Sequence, residues 1–284
     1  MKLYIGIDWS QSKHDLCFLN PSGAVQAQAV VEHSQSGFWK LEDLRKQIGV
    51  EREDCVIGIE TAHSILIDFL WDRGYSQIFV LPPLLVKGSR TRFRSSVARD
   101  DPSDAHLIAD ILRTDQGRLQ VWRPDSGLTR QIRAKVKFIH FLTTNIVRMS
   151  NRQRAVLQRY FPAAADLFSG LNTLIAQQFI LAFPTPEEAL GLDLHTFRSF
   201  AQHHGYTHRH KLAGILAKLD ASFAQADPEI VEACKDEAQG LARLLLEMIQ
   251  LKRSHLKALQ ALLDQHPDQE IFASLPGTGV VRVP

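Results

Sequence analysis

Two apolar segments that each end in a carboxylate constrain this chain more than anything else in it. Residues 2–8 alternate Leu3, Ile5 and Ile7 against Tyr4, Gly6 and Asp8, the period-two pattern of a strand with one buried face. CVIGIE, residues 55–60, is a second short apolar run, closed by Glu60. A third acidic context, RDDPSDAHLIADIL, sets Asp101 and Asp104 three residues apart ahead of an apolar helix. Acid-ended strands followed by an acid-bearing helix bring carboxylates from distant positions to one edge of an α/β sheet, where open sheets place their sites. In outline this is a site for a hard divalent cation such as Mg²⁺, which takes oxygen ligands. Two such ions about 4 Å apart stabilise both the attacking and the leaving oxygen in phosphodiester chemistry.

Each acid also has a plainer explanation. A strand-terminal acid can cap a neighbouring turn. In DPSD, Asp101 can be a helix N-cap, Pro102 the first helical residue and Asp104 a first-turn charge that favours the helix dipole. A spacing of three also puts both side chains on one helix face, so capping and metal binding are compatible. Asp100 competes with Asp101, and the one-turn spacing to Asp104 favours Asp101. His63, three residues after Glu60, is a candidate for a contact behind the ligands or to substrate. His203, His204, His208 and His210 cluster without the carboxylate or cysteine company of a zinc site. Cys17, Cys55 and Cys234 are scattered and odd in number, which fits reduced, buried thiols better than a disulfide frame.

The net charge of +2 hides a strong local imbalance. Between Leu85 and Tyr160 stand 16 Lys or Arg against six Asp and no Glu, so the remainder of the chain is acidic. Solvated helix faces usually mix signs, and Arg predominates where phosphates are gripped bidentately. The segment implies a polyanion partner, with nucleic acid the natural one. Candidate contacts are Arg90, Arg92, Arg94 and Arg99 in GSRTRFRSSVAR, and Arg130, Arg133, Lys137, Arg148, Arg152 and Arg154 further on.

DLCFLN and AVQAQAVV, broken by Pro21-Ser22-Gly23, extend the first strand into a three-strand antiparallel meander. A helix from about Ser36 to Gln47, strand CVIGIE, a helix through ILIDFLWDRG, strand QIFVLP and a helix after Pro102 complete the order βββαβαβα. That order matches the RNase H-like fold, with right-handed crossovers in a sheet covered on both faces. From about Leu128 the texture changes. Ile132, Val136, Ile139, Leu142, Ile146, Met149, Val156 and Leu157 repeat at helical spacing until FPAAA, and Ala238 to His266 is a second such stretch. Residues 165–235 read as shorter helices punctuated by FPTPEEA and ADPEIVE. The expected architecture is an α/β domain over 1–125, a helical domain with a coiled-coil core over 126–270, and the start of a further element at 271–284. In that last part SLPGTGVVRVP looks like the opening of a helix-hairpin-helix. An apolar N-terminal run interrupted at once by Asp8, and no stretch near the roughly 18 apolar residues of a span, predict a cytoplasmic protein without membrane contact.

Taken together, GID-x-S-x-x-x-x-D near the N-terminus, I-E-T ahead of a helix and G-Y, and D-x-x-D-A opening a helix resemble the DEDD-type transposases of the insertion-sequence one-ten family. These are bridge-RNA-guided recombinases related to the Piv DNA invertases. The basic helix ending in R-x-x-x-L-x-x-Y-F-P, the FPTPEEA segment and LPGTG are similar to that family in order and spacing, so the resemblance runs through essentially the whole chain. It implies a RuvC-like domain in which Asp8, Glu60, Asp101 and Asp104 coordinate Mg²⁺, followed by a coiled-coil domain for assembly, as a dimer or tetramer, and for RNA binding. It also implies a C-terminal domain, beginning near PGTG, that carries a serine nucleophile. The sequence stops at Pro284, ahead of where that serine is expected, and Ser254 and Ser274 lie upstream of the motif.

The leading expectation is therefore a Mg²⁺-dependent transposase or site-specific DNA recombinase that binds DNA and a structured guide RNA. The alternative is a truncated, non-catalytic RNA- or DNA-binding derivative of such an enzyme. A third reading, a sugar-kinase-like ATPase, rests on the similarity of IGID-x-S to that fold's first phosphate strand. It needs further Gly-rich phosphate loops, which residues 60–270 do not offer.

Overall fold

The computed structural model describes residues 1–62, 64–89, 103–220 and 226–274. The chain forms two compact units, Met1–Pro124 and Asp125–Pro284.

The first unit is built on a mixed five-stranded sheet in the order β3-β2-β1-β4-β5. Strands β1 (Leu3–Trp9), β2 (Lys13–Leu19) and β3 (Val25–Glu32) form the expected meander. The second turn closes on Gly23 at φ 86°, with the Asn20 side chain accepting from the Ser22 and Ala24 amides. Helix α1 (Gln35–Ile48) is capped by Ser34 and stops at left-handed Gly49. Strand β4 (Cys55–Ile59) returns parallel to β1, helix α2 (Ile65–Asp72) follows, and β5 (Gln77–Val80) adds parallel to β4. Helices α3 (Pro83–Ser89) and α4 (Asp104–Asp115) complete the unit.

Because β1 and β4 are central and parallel, both of their faces are apolar. Leu3, Ile5, Ile7, Leu16, Phe18, Ile57 and Ile59 face one way and pack with Phe38 and Leu41 of α1 and Leu66, Ile67 and Leu70 of α2. Tyr4, Cys17, Leu19, Val56 and Phe79 face the other way and pack with Leu107, Ile108, Ile111 and Leu112 of α4. On this second face glycines set the spacing. A Cβ at Gly6 would lie 1.9 Å from the Ala105 carbonyl oxygen and 2.6 Å from the Ala109 nitrogen, and one at Gly58 would meet Ile108 at 2.6 Å. Helix α4 therefore rests directly on the backbone of the two central strands.

Two sequence expectations need correction in this unit. Residues 83–89 form a helix where none was expected, held by the buried Val86 while Leu84 stays exposed. The cap of α4 is Ser103, whose hydroxyl accepts from the His106 amide, and the helix starts at Asp104. The capping role considered for Asp101 thus belongs to Ser103.

At the other face, on β2 opposite Trp9 at the end of β1, His14 is fully buried and its Nε2 lies 2.8 Å from His33 Nδ1, against Trp9 and Phe38. Among the described residues the His14 Nδ1 has no hydrogen-bond partner. Burial, reinforced by His33, holds its pKa down to about 4.

The second unit is helical. Its frame is α5 (Gly127–Tyr160) and α11 (Pro228–Leu263), which pair within the chain. Ile132 and Ile139 meet Leu259 and Leu263, whereas Ile146 meets Leu245 and Ile249, so the two run antiparallel. Helices α6 (Pro162–Asp166), α7 (Leu174–Ala182), α8 (Pro186–Leu190), α9 (Leu194–His203) and α10 (Leu212–Asp220) enclose an aromatic core of Tyr160, Phe161, Phe179 and Phe197 at one end of that pair. A reciprocal amide pair, Gln153 and Gln177 at 2.8 Å both ways, ties α5 to α7 inside this core, and Gln153 also donates to the Ala238 carbonyl of α11. Helix α12 (Gln269–Ala273) follows. The expected start of the second long helix at Ala238 is ten residues late. Pro228 occupies the first turn of α11 behind the Asp227 cap, where its missing N–H costs nothing, so ADPEIVE begins the helix instead of interrupting it.

Two expected outcomes follow from this packing. Gly6→Ala should destabilise the chain by about 3 kcal/mol or more, because backbone cannot yield as a side-chain tip can. Gly240→Ala, with nothing within 4 Å of the added carbon in the middle of α11, should stabilise it by about 0.5–1 kcal/mol; urea titration of both variants checks the pair. For His14 the unfolded state takes up a proton below its ordinary pKa of about 6.5 and the folded state only near 4, so stability should fall as pH drops through that window. The loss tends to about 3 kcal/mol at its lower end. His14→Phe should flatten that slope between pH 6.5 and 4 in the same titration.

Candidate functional site

Asp8 is the penultimate residue of β1, and Glu60 follows the last residue of β4 directly. The parallel register pairs Ile7 with Ile59, which places the two acids side by side at the carboxyl ends of the central strands. Alternation gives their face. Asp8 lies two residues beyond Gly6 and Glu60 two beyond Gly58, so both project from the face that α4 covers.

The direction of α4 brings a third acid to the same edge. Its C-terminal Arg113 approaches Gly23 in the β2–β3 turn, and Gln116, just past the helix, donates to Gln77 at the start of β5 at 3.2 Å. Both points mark the end where β1 begins. The N-terminus of α4, with Asp104 as its first residue, accordingly stands at the end where β1 and β4 finish. The partial positive charge of a helix N-terminus favours negative charge at that end, Asp104 included.

A fourth acid, unassigned in the sequence reading, joins this edge. Asp15 of β2 is the direct cross-strand partner of Asp8 in the antiparallel register, so both point to the α4 face. Like charges directly opposite are unfavourable and make a nearby cation welcome. The signal was present in the Asp8-to-Asp15 spacing, but which residues face each other depends on hairpin length. Asp101, Asp100 and His63 lie outside the described residues. Among the described residues no group of three or more His, Cys, Asp or Glu has the arrangement of a metal site. The described acids fit a divalent cation by donor chemistry and by shared edge and face.

The cations divide differently. Arg90, Arg92, Arg94 and Arg99 lie outside the described residues. Arg130, Arg133, Lys137, Arg148 and Arg152 are exposed on α5. Arg133 is paired with Asp125, and Arg152 binds Glu237 of α11 at 2.6 Å. Arg154 is half-buried and turned to Asp166. The histidines at 203–210 pack with aromatic neighbours, His204 lying 4.6 Å from the Phe200 ring. No described helix is long and apolar enough to cross a membrane.

Comparison with known proteins decides the family. Residues 5–162, spanning the sheet, α4 and the whole of α5, match the model of the IS110-type DEDD family, described as "Transposase". The chain belongs to this transposase family. It is also 28% identical over 289 residues to the "Mini-circle putative transposase for IS117" of Streptomyces coelicolor, covering 98% of this chain and 69% of that relative. A "Putative transposase y4uE" of Sinorhizobium fredii is 25% identical over 203 residues, covering 71% of this chain and 56% of its own length. The matched region contains Asp8, Asp15, Glu60 and Asp104, the described acids at the sheet edge.

Proposed function

We propose that this transposase cuts and joins DNA with a divalent-metal site made by Asp8, Glu60, Asp101 and Asp104, the metal being Mg²⁺. The observation that carries the reading is the placement of Asp8, Glu60 and Asp104, from two strands and a helix far apart in sequence, on one face at one edge of the sheet. Chance gives no reason for three acids to share that edge. The strand order, antiparallel β3-β2-β1 continuing into parallel β4-β5, supports assignment of residues 1–125 to an RNase H-like (RuvC-like) domain. We assign 126–270 to a coiled-coil helical domain and 271–284 to the start of a helix-hairpin-helix-like element.

When bound, Mg²⁺ supplies Lewis-acid stabilisation of charge on the oxygens of a phosphodiester. The protein's part is positional. Glycines at 6 and 58 let α4 sit close, which sets Asp104 beside the strand-end acids, and the sheet fixes Asp8 and Glu60 in register. Carboxylates carried on rigid elements need less reorganisation to take up an ion than carboxylates on loops. The cations of the basic segment hold nucleic-acid backbone without reading sequence. Specificity then comes from base pairing with a bridge RNA, as the family resemblance suggests, and the active form is a dimer or tetramer working in the cytoplasm.

The test is metal-dependent DNA cleavage and strand transfer by the chain, with Mg²⁺ or Mn²⁺ affinity measured calorimetrically alongside. Asp8→Asn and Glu60→Gln should each lower the rate at least 100-fold and weaken metal binding at least tenfold, with DNA affinity within about twofold of the parent. Variants that keep both rate and metal affinity would sink the assignment.

A further inference from the structure

Helix α5 carries eight Lys or Arg and no acidic residue over its 34 positions, and all but Lys135 and Arg154 share one side of it. Arg130, Arg133, Lys137, Arg148, Arg152 and Arg159 recur at steps of three, four, seven or eleven residues, the spacing of a single stripe. All six are exposed, and the stripe lies away from Ile132, Ile139, Leu142 and Ile146, which face the interior. Phe141 sits in the same stripe, 60% exposed and stacked on Phe138. At 1.5 Å per residue the stripe runs about 44 Å, the length of about 13 base pairs of duplex.

We propose that this outward stripe is a docking rail for the phosphate backbone of duplex DNA. The inference rests on the DNA-processing reading above and goes further by giving the DNA a place on the second unit. Charge complementarity chooses the occupant. A second copy of α5 would set cation against cation, whereas a polyphosphate matches the whole length. The partner helix neutralises it at one point, where Glu237 of α11 meets Arg152, while residues 248–263 of α11 contribute Lys252, Arg253 and Lys257 and no acid. Among the described residues Lys137, Arg148 and Arg159 carry no ion pair. The pairs made by Arg133 and Arg152 are at the surface, where exchanging a carboxylate for a phosphate costs little. Arg154 points to Asp166 and is not part of the rail, while Arg159, absent from the candidate contacts read from sequence, is.

The experiment measures affinity of the full chain for a random-sequence 30-base-pair duplex between 50 and 200 mM salt. Lys137→Gln, Arg148→Gln and Arg159→Gln together form the rail variant. Arg198→Gln, Lys218→Gln and Arg243→Gln together form a charge-matched control of exposed residues in the same unit. The rail variant should bind at least tenfold more weakly at 100 mM salt and lower the slope of log affinity against log salt by about 2 to 3, with the control within about twofold of the parent. Equal losses in both variants, or no loss in the rail variant, would overturn the rail while leaving the metal-site reading intact. A loss confined to structured RNA, tested in parallel, would overturn the assignment to DNA. A parent chain that binds no DNA would overturn the rail and the DNA-processing reading together.

Discussion

The first unit depends on how closely one helix can approach one sheet. Gly6 and Gly58 carry no side chain between β1, β4 and α4, and any Cβ there would collide with helix backbone or with Ile108. That closeness fixes the depth and direction of α4, and with them the position of Asp104 relative to Asp8 and Glu60. Helix packing onto bare strand backbone is thus what turns three distant acids into neighbours of one edge. The same i, i+2 alternation that buries the glycines delivers the acids to the helix-covered face. In GID and GIE the glycine serves packing and the acid beside it is the one proposed to serve chemistry.

The fold was legible where local pattern and tertiary environment agree. Strict alternation at Leu3, Ile5 and Ile7 and the Pro21-Ser22-Gly23 break announce the meander because each strand's two faces differ in what they meet. Less legible were features set by context. Residues 83–89 hold a helix through one buried contact at Val86, too little apolar periodicity to show in a window. The ten-residue extension of α11 was hidden by Pro228, which looks like a breaker and acts as a first-turn residue.

At the site, residue types pointed to the strand-end acids, but the pairing of Asp15 with Asp8 needed the register of the hairpin. The charge imbalance between residues 85 and 160 was visible as composition, yet composition cannot separate cations that face solvent from those that face neighbours. Arg154 and Arg159 exchange standing for that reason, the first turned to Asp166 and the second aligned with the exposed stripe. The two long helices bury Ile132, Ile139 and Ile146 of α5 against α11 within one chain, so the outer face of α5 is left mainly to charge, with Phe141 exposed among it.

The edge formed by β1, β4 and the start of α4 is proposed to bind a divalent cation. Anomalous scattering from crystals of the chain soaked in Mn²⁺ tests it most directly. The expected result is a peak within about 2.2 Å of carboxylate oxygens of both Asp8 and Glu60. A well-ordered edge with no peak there, or a peak bound only by residues elsewhere, would contradict it.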